Sequence, residues 1–218
     1  MTAVIFDLDG TLIDSLADIT ASLNHALAEV GEPTLTIDEV RRIVGYGAAD
    51  LVRGALAPER RDAVFDDALA RYRARYHAQL VGETRPYDGV EPLLEALEAR
   101  GVPKAILTNK PDAPTHDIVE KLLGRFRWDA VLGQRDGVPH KPDPAGALEI
   151  ARRLGIAPSA FYFVGDGDTD MHTARSAGME AVGCLWGFRD RATLERAGAQ
   201  HLIARPEELL PLLDRARS

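Results

Sequence analysis

The hydrophobic pattern of this 218-residue chain changes twice along its length. Residues 3–6 are all apolar and include two β-branched side chains, which predicts a short buried strand. Residues 16–81 then carry apolar side chains at helical spacing, and nothing in that stretch is typical of a buried strand. After residue 90, short apolar runs alternate with helical segments. The pattern therefore predicts one strand, an all-helical block and a following α/β region.

The helical block contains signals for four helices. Ile19, Leu23, Leu27 and Val30 follow a 3.6-residue period that stops at Gly31. Thr36 and the glutamate three residues later form a capping box, which predicts the start of a second helix. The third and fourth helices are predicted over residues 48–56 and around the apolar positions of residues 65–80.

The alternation after residue 90 predicts a parallel sheet with helices on both faces, because parallel strands need helical crossovers. We predict a Rossmann-like, doubly wound α/β core formed by residues 1–15 and 83–218, with an inserted all-helical domain at residues 16–82. The predicted strands are 105–107, 130–132, 161–164, 181–185 and 202–203, and the predicted helices are 90–100, 112–123, 143–154, 169–177 and one from residue 206.

Composition narrows the classes of function. The net charge of −8 argues against a nucleic-acid surface, which needs clustered lysine and arginine. The single cysteine excludes an internal disulfide. No basic segment precedes the first apolar run, and no run approaches the ~20 residues that span a bilayer. We expect a cytoplasmic monomer or homodimer with neither membrane nor nucleic acid as partner.

Two carboxylates follow the first predicted strand. Asp7 and Asp9 are two positions apart, so in an extended chain they point to the same side. Gly10 then permits a sharp turn, and Thr11 adds a hydroxyl that either caps this turn or orients the first carboxylate. An acidic turn would be the better explanation of these residues if they stood alone.

The other strand ends carry further polar side chains. Thr108 and Asn109 follow the second predicted strand of the chain, Asp166 follows a later one, and Lys141 lies in a loop before a helix. Ligands of an open parallel sheet bind beyond the carboxyl ends of its strands. We therefore expect these side chains to lie together with Asp7 at one edge of the sheet.

These residues, in this order, resemble the motifs of the haloacid dehalogenase-like phosphatases. The match covers D-x-D-G-T at residues 7–11, a strand-end threonine at 108, a lysine at 141 and G-D-x-x-x-D at residues 165–170. The helical block lies where that family inserts a small cap domain. Residues 107–111 and 141–144 look most like the phosphoglycolate phosphatases of this family.

The resemblance implies a nucleophile and an acid–base pair. Asp7 would attack phosphorus and form an aspartyl-phosphate. Asp9 would protonate the leaving oxygen and then activate water, a role that suits one of two close carboxylates that do not both ionise easily. Dehalogenase relatives lack this second aspartate, so its presence favours a phosphate ester as substrate.

The resemblance also implies a Mg²⁺ cofactor and a set of binding residues. Asp7, the backbone carbonyl of Asp9 and Asp166 would be metal ligands, with Asp170 either behind them or holding Lys141. Thr108 and Lys141 would bind the phosphoryl oxygens. Further substrate contacts are expected from Thr11, Asn109, Gly45, Tyr46 and Gly47.

Two positions depart from the usual pattern of the family. Residue 167 is glycine where serine or threonine is common, and Asp168 adds a third acid to the segment 166–170. Asp168 is either an acid of a surface loop or a residue that alters metal binding, and we favour the surface loop.

The expected substrate is a small phosphorylated metabolite, best 2-phosphoglycolate. Its carboxylate needs a cation, for which Arg41, Arg42 and Arg53 are candidates, although solvated helix faces explain these arginines equally well. Residues 12–15 and 82–88 are candidate hinges of the cap. The alternatives are a phosphosugar mutase that resembles β-phosphoglucomutase, a phosphatase of another small metabolite or of pyrophosphate, a phosphate-accepting signalling module, and a catalytically silent binding protein.

Overall fold

A six-stranded parallel sheet forms the centre of the structure, a computed structural model that describes residues 2–215. Its strand order is β5-β4-β1-β6-β7-β8, and a separate two-stranded antiparallel sheet pairs β2 with β3. The strands are β1 (Ala3–Phe6), β2 (Ile13–Asp14), β3 (Arg85–Pro86), β4 (Lys104–Pro111), β5 (Ala130–Gln134), β6 (Phe161–Gly165), β7 (Glu180–Cys184) and β8 (His201–Ile203).

Helices cover both faces of this sheet and form the inserted segment. They are α1 (Leu16–Glu29), α2 (Ile37–Ile43), α3 (Ala48–Ala55), α4 (Arg61–Ala78), α5 (Val90–Ala99), α6 (Asp112–Leu123), α7 (Ala145–Leu154), α8 (Asp168–Ala177), α9 (Arg191–Ala197) and α10 (Leu209–Arg215). Within the described residues, no helix combines the length and the apolar character that crossing a bilayer requires.

Alternating side chains of β1 enter two different cores. Val4 and Phe6 belong to the core that α5, α6 and α10 cover, whereas Ala3 and Ile5 face α7, α8 and α9. Every residue of this strand is buried. A strand enclosed on both faces needs an uninterrupted apolar run, and this is why the first four residues of the pattern show no polar alternation.

The chain reverses its direction of winding at β1. This strand pairs in parallel with β4 on one side and β6 on the other, so the strand order runs outward from it in both directions. The predicted doubly wound α/β core is thereby confirmed. In such sheets a crevice opens at the carboxyl ends of the strands where the winding reverses.

The segment between β2 and β3 is helical, as the apolar spacing predicts. Helices α1 to α4 occupy it, and the described residues 16–80 contain no strand. The predicted capping box is present, with the Glu39 N–H donating to Thr36 Oγ1 at 3.3 Å and the Thr36 N–H donating to Glu39 Oε2 at 2.7 Å. Tyr72 and Tyr76 stack on each other at 5.8 Å between ring centroids inside the segment.

Three elements differ from the prediction. The pairing of β2 with β3 and the helix α9 were not predicted, because a two-residue strand has no periodicity and a seven-residue helix has little. The N-cap Asp190, whose side chain accepts from the Thr193 N–H, was the available signal for α9. Strand β4 also continues to Pro111 through a shift in its register with β5.

Asp18 joins the first turn of α1 to the chain that leaves the helical segment. Its carboxylate accepts the backbone N–H groups of Gly82, Glu83 and Thr84 at 2.9 to 3.0 Å and also the Thr84 hydroxyl. Burial alone would raise the pKa of Asp18, but these hydrogen bonds outweigh it and hold the pKa below its usual value. The ionised carboxylate therefore stabilises the return of the chain to the core.

We predict that Asp18→Asn lowers the free energy of unfolding by about 2 kcal/mol at pH 7, since hydrogen bonds to a charged group contribute more than neutral ones. The pKa is lower in the folded state, so the contribution is complete above the unfolded pKa and disappears as the pH falls through the folded one. Urea denaturation at pH 7 and pH 3 measures both effects.

The exposed Asp66 of α4 provides a matched control, and Asp66→Asn should change stability by less than about 0.5 kcal/mol. Equal losses for the two variants, or a loss for Asp18→Asn that is as large at pH 3 as at pH 7, would contradict the role of the carboxylate.

Candidate active site

Asp7 stands at the end of β1, where the crevice opens. Its N–H still donates to Val164 O of the neighbouring strand at 2.9 Å, and its Oδ1 accepts the Leu8 N–H at 2.7 Å. Its side chain is 14% exposed. Sheet pairing therefore fixes the backbone of Asp7, while its carboxylate faces the crevice.

The turn after Asp9 requires glycine at position 10. Gly10 has φ +83°, and a Cβ atom at this position would lie 2.3 Å from Asp166 Oδ2. Gly187 approaches from the other side, where a Cβ would lie 2.2 Å from Asp166 Cβ. Two glycine backbones thus pack against Asp166 and leave space for its carboxylate beside Asp7.

Lys141 connects two of the carboxylates. Its buried Nζ lies 2.9 Å from Asp7 Oδ1 and 2.6 Å from Asp170 Oδ1. Its backbone N–H donates to Asn109 Oδ1 at 2.8 Å, so β4 positions the loop that carries it. The sequence left two roles open for Asp170, a position behind the metal ligands or a contact with Lys141. In this structure Asp170 contacts Lys141.

Asp166 and Asp170 are fixed by the start of α8 and by its neighbours. Asp170 Oδ2 accepts the Gly167 N–H at 2.9 Å. The two oxygens of Asp166 accept from Thr11 Oγ1 at 2.9 Å and from the Phe188 N–H at 2.8 Å. Thr11 is therefore buried beneath the site and orients Asp166, rather than the first carboxylate as one reading of the sequence suggested.

The three acids Asp7, Asp166 and Asp170 offer carboxylate oxygens that lie within 4.8 Å of one another. Burial, followed by the charges of Asp170 and Asp166, raises the pKa of Asp7 to about 8, although Lys141 opposes this shift. Burial and the charge of Asp170 raise the pKa of Asp166 to about 6. Burial would lower the pKa of Lys141, but Asp170 and Asp7 outweigh it and raise that pKa above its usual value.

This cluster fits a hard divalent cation. Its donors are all carboxylate oxygens, which Mg²⁺ prefers, and their crowding leaves negative charge that Lys141 only partly offsets. Burial first, and then the charge of neighbouring acids, raises the pKa values of Asp7 and Asp166, and a bound cation would oppose both effects.

Asp9 has different partners from Asp7. Its Oδ1 accepts from Ser15 Oγ at 2.6 Å, and its Oδ2 lies 3.0 Å from the ammonium group of Lys110. Lys110 is not among the site residues predicted from the sequence. The available signal was the scarcity of lysine in this chain and the position of Lys110 two residues after Thr108.

A cavity of about 460 Å³ lies above these side chains, between the core and the helical segment. Asp7, Asp9 and Thr108 line it on the core side, together with Asn109 and Lys110. From the helical segment it is lined by Ile19, Val44, Gly45, Gly47, Ala48, Leu51, Tyr72, Arg73, Tyr76 and His77.

Residues 45–47, predicted to contact the substrate, do not all face the cavity. Gly45 and Gly47 line the cavity, whereas the Tyr46 hydroxyl points to the core and donates to Asp168 Oδ2 at 2.7 Å. Asp168 also lies 4.0 Å from Arg189 Nε. The interpretation of Asp168 as a surface-loop acid is therefore wrong, because it joins α8 to the helical segment.

Asn109 supports the loops around the cavity. Its Nδ2 donates to Gly45 O at 3.2 Å and to Lys141 O at 3.1 Å. The buried side chain of Asn109 thus ties the helical segment and the lysine loop to the same strand.

The arginines proposed for a substrate carboxylate lie elsewhere. Arg41, Arg42 and Arg53 are not among the residues that line the described cavity, and the Arg53 guanidinium lies 4.2 Å from the centroid of the Phe65 ring. Cationic side chains do reach the cavity, but from Arg73 and Lys110. The sequence could not identify them because solvated faces of a helix and cavity walls have the same composition.

Comparison with known proteins identifies relatives across almost the whole chain. The profile of the haloacid dehalogenase-like hydrolases matches residues 4–184. A phosphoglycolate phosphatase of Pseudomonas putida is 36% identical over 214 residues, which cover 95% of this chain and 78% of the relative. A phosphoglycolate phosphatase of Xanthomonas campestris pv. campestris is 38% identical over 188 residues, covering 86% of this chain and 84% of the relative.

The solved structures agree with this assignment. A crystal structure from Haemophilus somnus, described as a predicted phosphoglycolate phosphatase, superimposes with a TM-score of 0.89 at 28% identity and covers 97% of both chains. The resemblance inferred from the four motifs is confirmed by these matches. This chain belongs to the haloacid dehalogenase-like hydrolase family.

Proposed function

We propose that this phosphoric monoester hydrolase uses Mg²⁺ to hydrolyse a small organic phosphate, with 2-phosphoglycolate as the best substrate. The observation that carries the proposal is the contact of Asp7 with Lys141 and the grouping of Asp7, Asp166 and Asp170 at the edge of a cavity that Asp7 lines. The names of the similar phosphoglycolate phosphatases support the choice of substrate. The enzyme would act in the cytoplasm.

The carboxylates of Asp7 and Asp166 would hold the metal, together with the backbone carbonyl of Asp9, while Asp170 would stand behind them and keep its contact with Lys141. Bound there, Mg²⁺ would neutralise negative charge on the carboxylates and on the transferring phosphoryl group. The ammonium group of Lys141 adds a fixed positive charge on the same side of Asp7.

In the first step, a carboxylate oxygen of Asp7 attacks phosphorus, and the bond between phosphorus and the ester oxygen breaks. Asp9 gives a proton to that oxygen, so glycolate leaves as an alcohol. The phosphoryl group is now bonded to Asp7. Thr108 Oγ, which lines the cavity, and Lys141 would bind its oxygens and stabilise their charge.

In the second step, water attacks the same phosphorus from the side that the alcohol has left. Asp9 accepts a proton from this water, the bond between phosphorus and Asp7 breaks, and inorganic phosphate forms. Each carboxylate returns to its first state. Splitting the hydrolysis in this way replaces one difficult displacement by two easier ones.

The helical segment would act as a cap over this chemistry. We propose that residues 16–82 form the cap domain and that the short pairing of β2 with β3 is its hinge. Closure would restrict the access of water to the acyl-phosphate until the alcohol has left.

A phosphosugar mutase is the second candidate, favoured by cationic side chains at the cavity. Lys110 and Arg73 line it and would suit a second phosphate. Formation of a hexose 6-phosphate from its 1-phosphate in a coupled assay identifies the mutase. Release of inorganic phosphate from 2-phosphoglycolate identifies the hydrolase.

We predict that a screen of phosphate esters shows Mg²⁺-dependent release of phosphate, and that Asp7→Asn reduces kcat by at least about 10⁴-fold because the nucleophile is lost. Asp9→Asn should reduce kcat by about 10²- to 10⁴-fold, the range of general acid–base catalysis. The exposed acid of α4 gives the control, since Asp66→Asn should retain wild-type kcat. Unchanged turnover by Asp7→Asn would refute the mechanism.

We also predict that Mg²⁺ binding depends on pH. Asp7, with a pKa near 8, and Asp166, with a pKa near 6, carry protons that the cation must displace. The affinity should therefore fall by roughly 10- to 100-fold from pH 8 to pH 6. Calorimetric titration in two buffers of different ionisation enthalpy counts the protons released.

Asp168→Asn changes an acid of α8 that lies outside the three-carboxylate cluster, and it should retain the wild-type pH dependence of Mg²⁺ binding. Binding that is equally tight at pH 6 and pH 8, with no release of protons, would contradict the metal site.

A further inference from the structure

We propose that Lys110 is the specificity residue of this enzyme and that its ammonium group binds a carboxylate on the leaving-group side of the substrate. The inference rests on the proposed phosphatase function. Lys110 follows Thr108 on β4, its side chain is 5% exposed, and it lines the cavity over the three-carboxylate cluster.

The position of Lys110 separates it from the phosphoryl site. The phosphoryl group must lie against Asp7, where Lys141 already supplies a cation. The ammonium group of Lys110 instead lies 3.0 Å from Asp9 Oδ2. Asp9 is the residue that protonates the leaving oxygen in the proposed mechanism, so Lys110 lies beside the leaving group and not beside the transferring one.

The substrate geometry then selects an anion close to that oxygen. In 2-phosphoglycolate, a single CH₂ group separates the ester oxygen from the carboxylate. A cation in contact with the acid that protonates the ester oxygen is therefore within reach of this carboxylate. An ester of a long or uncharged alcohol offers nothing for the ammonium group to bind.

Lys110 also retains the capacity for such a contact. An ammonium group has three donors, and its contacts among the described residues are with Asp9 Oδ2 and with the Tyr76 hydroxyl at 2.5 Å. Burial raises the pKa of Tyr76, so this phenol keeps its own proton and is a second donor toward the cavity. Ser15 binds the other oxygen of Asp9, which leaves the Asp9 carboxylate oriented without Lys110.

The cavity wall adds positive charge in the same region. Arg73 and His77 are one turn apart on α4, flank Tyr76 in sequence and line the cavity at exposed positions. The charge of Arg73 would attract a dianionic or trianionic substrate from solution, whereas the buried ammonium group of Lys110 would discriminate among bound esters.

The test compares 2-phosphoglycolate with ethyl phosphate, in which a methyl group replaces the carboxylate. We expect the wild type to prefer 2-phosphoglycolate, and Lys110→Met to lower the ratio of the two kcat/KM values by about 30- to 100-fold, mainly through the KM for 2-phosphoglycolate. Lys110→Arg should restore part of the ratio, because it restores the charge.

Lys121→Met on the exposed face of α6 is the matched control and should keep the wild-type ratio. A parallel loss on both esters, carried by kcat, would overturn the inference and make Lys110 a partner of Asp9 only. A wild type that hydrolyses both esters with equal kcat/KM would overturn it while leaving the phosphatase function intact. A wild type that hydrolyses neither ester nor any other phosphate would refute the proposed function itself.

Discussion

The ion pairs of Lys141 are the interaction on which the site depends. Its ammonium group contacts Asp7 and Asp170 where all three side chains have lost most of their water. Such burial costs several kcal/mol per ion and is tolerated only when each charge has a partner. Loss of Lys141 would leave crowded carboxylates that must take up protons, and a protonated Asp7 is no nucleophile. The stability of the folded site and the proposed reactivity of Asp7 therefore both require Lys141.

The topology of the sheet supplies these partners from distant parts of the chain. β1 lies between β4 and β6, so Asp7, Thr108 and Asp166 emerge side by side although they are far apart in sequence. The close packing of Gly10 and Gly187 against Asp166 then allows the carboxylates to meet. Backbone pairing fixes these positions, which gives the reacting groups little freedom to move before substrate arrives.

This dependence on strand ends explains what could be predicted from the sequence. Asp7, Asp166 and Thr108 directly follow apolar runs, so the parallel-sheet rule brings them together without knowledge of any contact. Lys110 and Asp168 were missed or misinterpreted because their partners, Tyr76 and Tyr46, belong to the helical segment. The relative placement of that segment and the core results from many weak packing contacts, and no periodicity in the sequence records it.

The division between the core and the helical segment also separates the residues proposed to act on the phosphate ester from those that would select the substrate. The groups that would act on phosphorus in the proposed mechanism belong to the core, where the pairing of buried charges restricts substitution. The cavity wall above them comes largely from α3 and α4, whose exposed and half-buried positions can change at little cost in stability. Lys110 is the exception, since it belongs to a core strand but faces the helical wall. In our proposal, a cation at this boundary would bind the carboxylate of the leaving alcohol without disturbing the carboxylates that would cleave the ester.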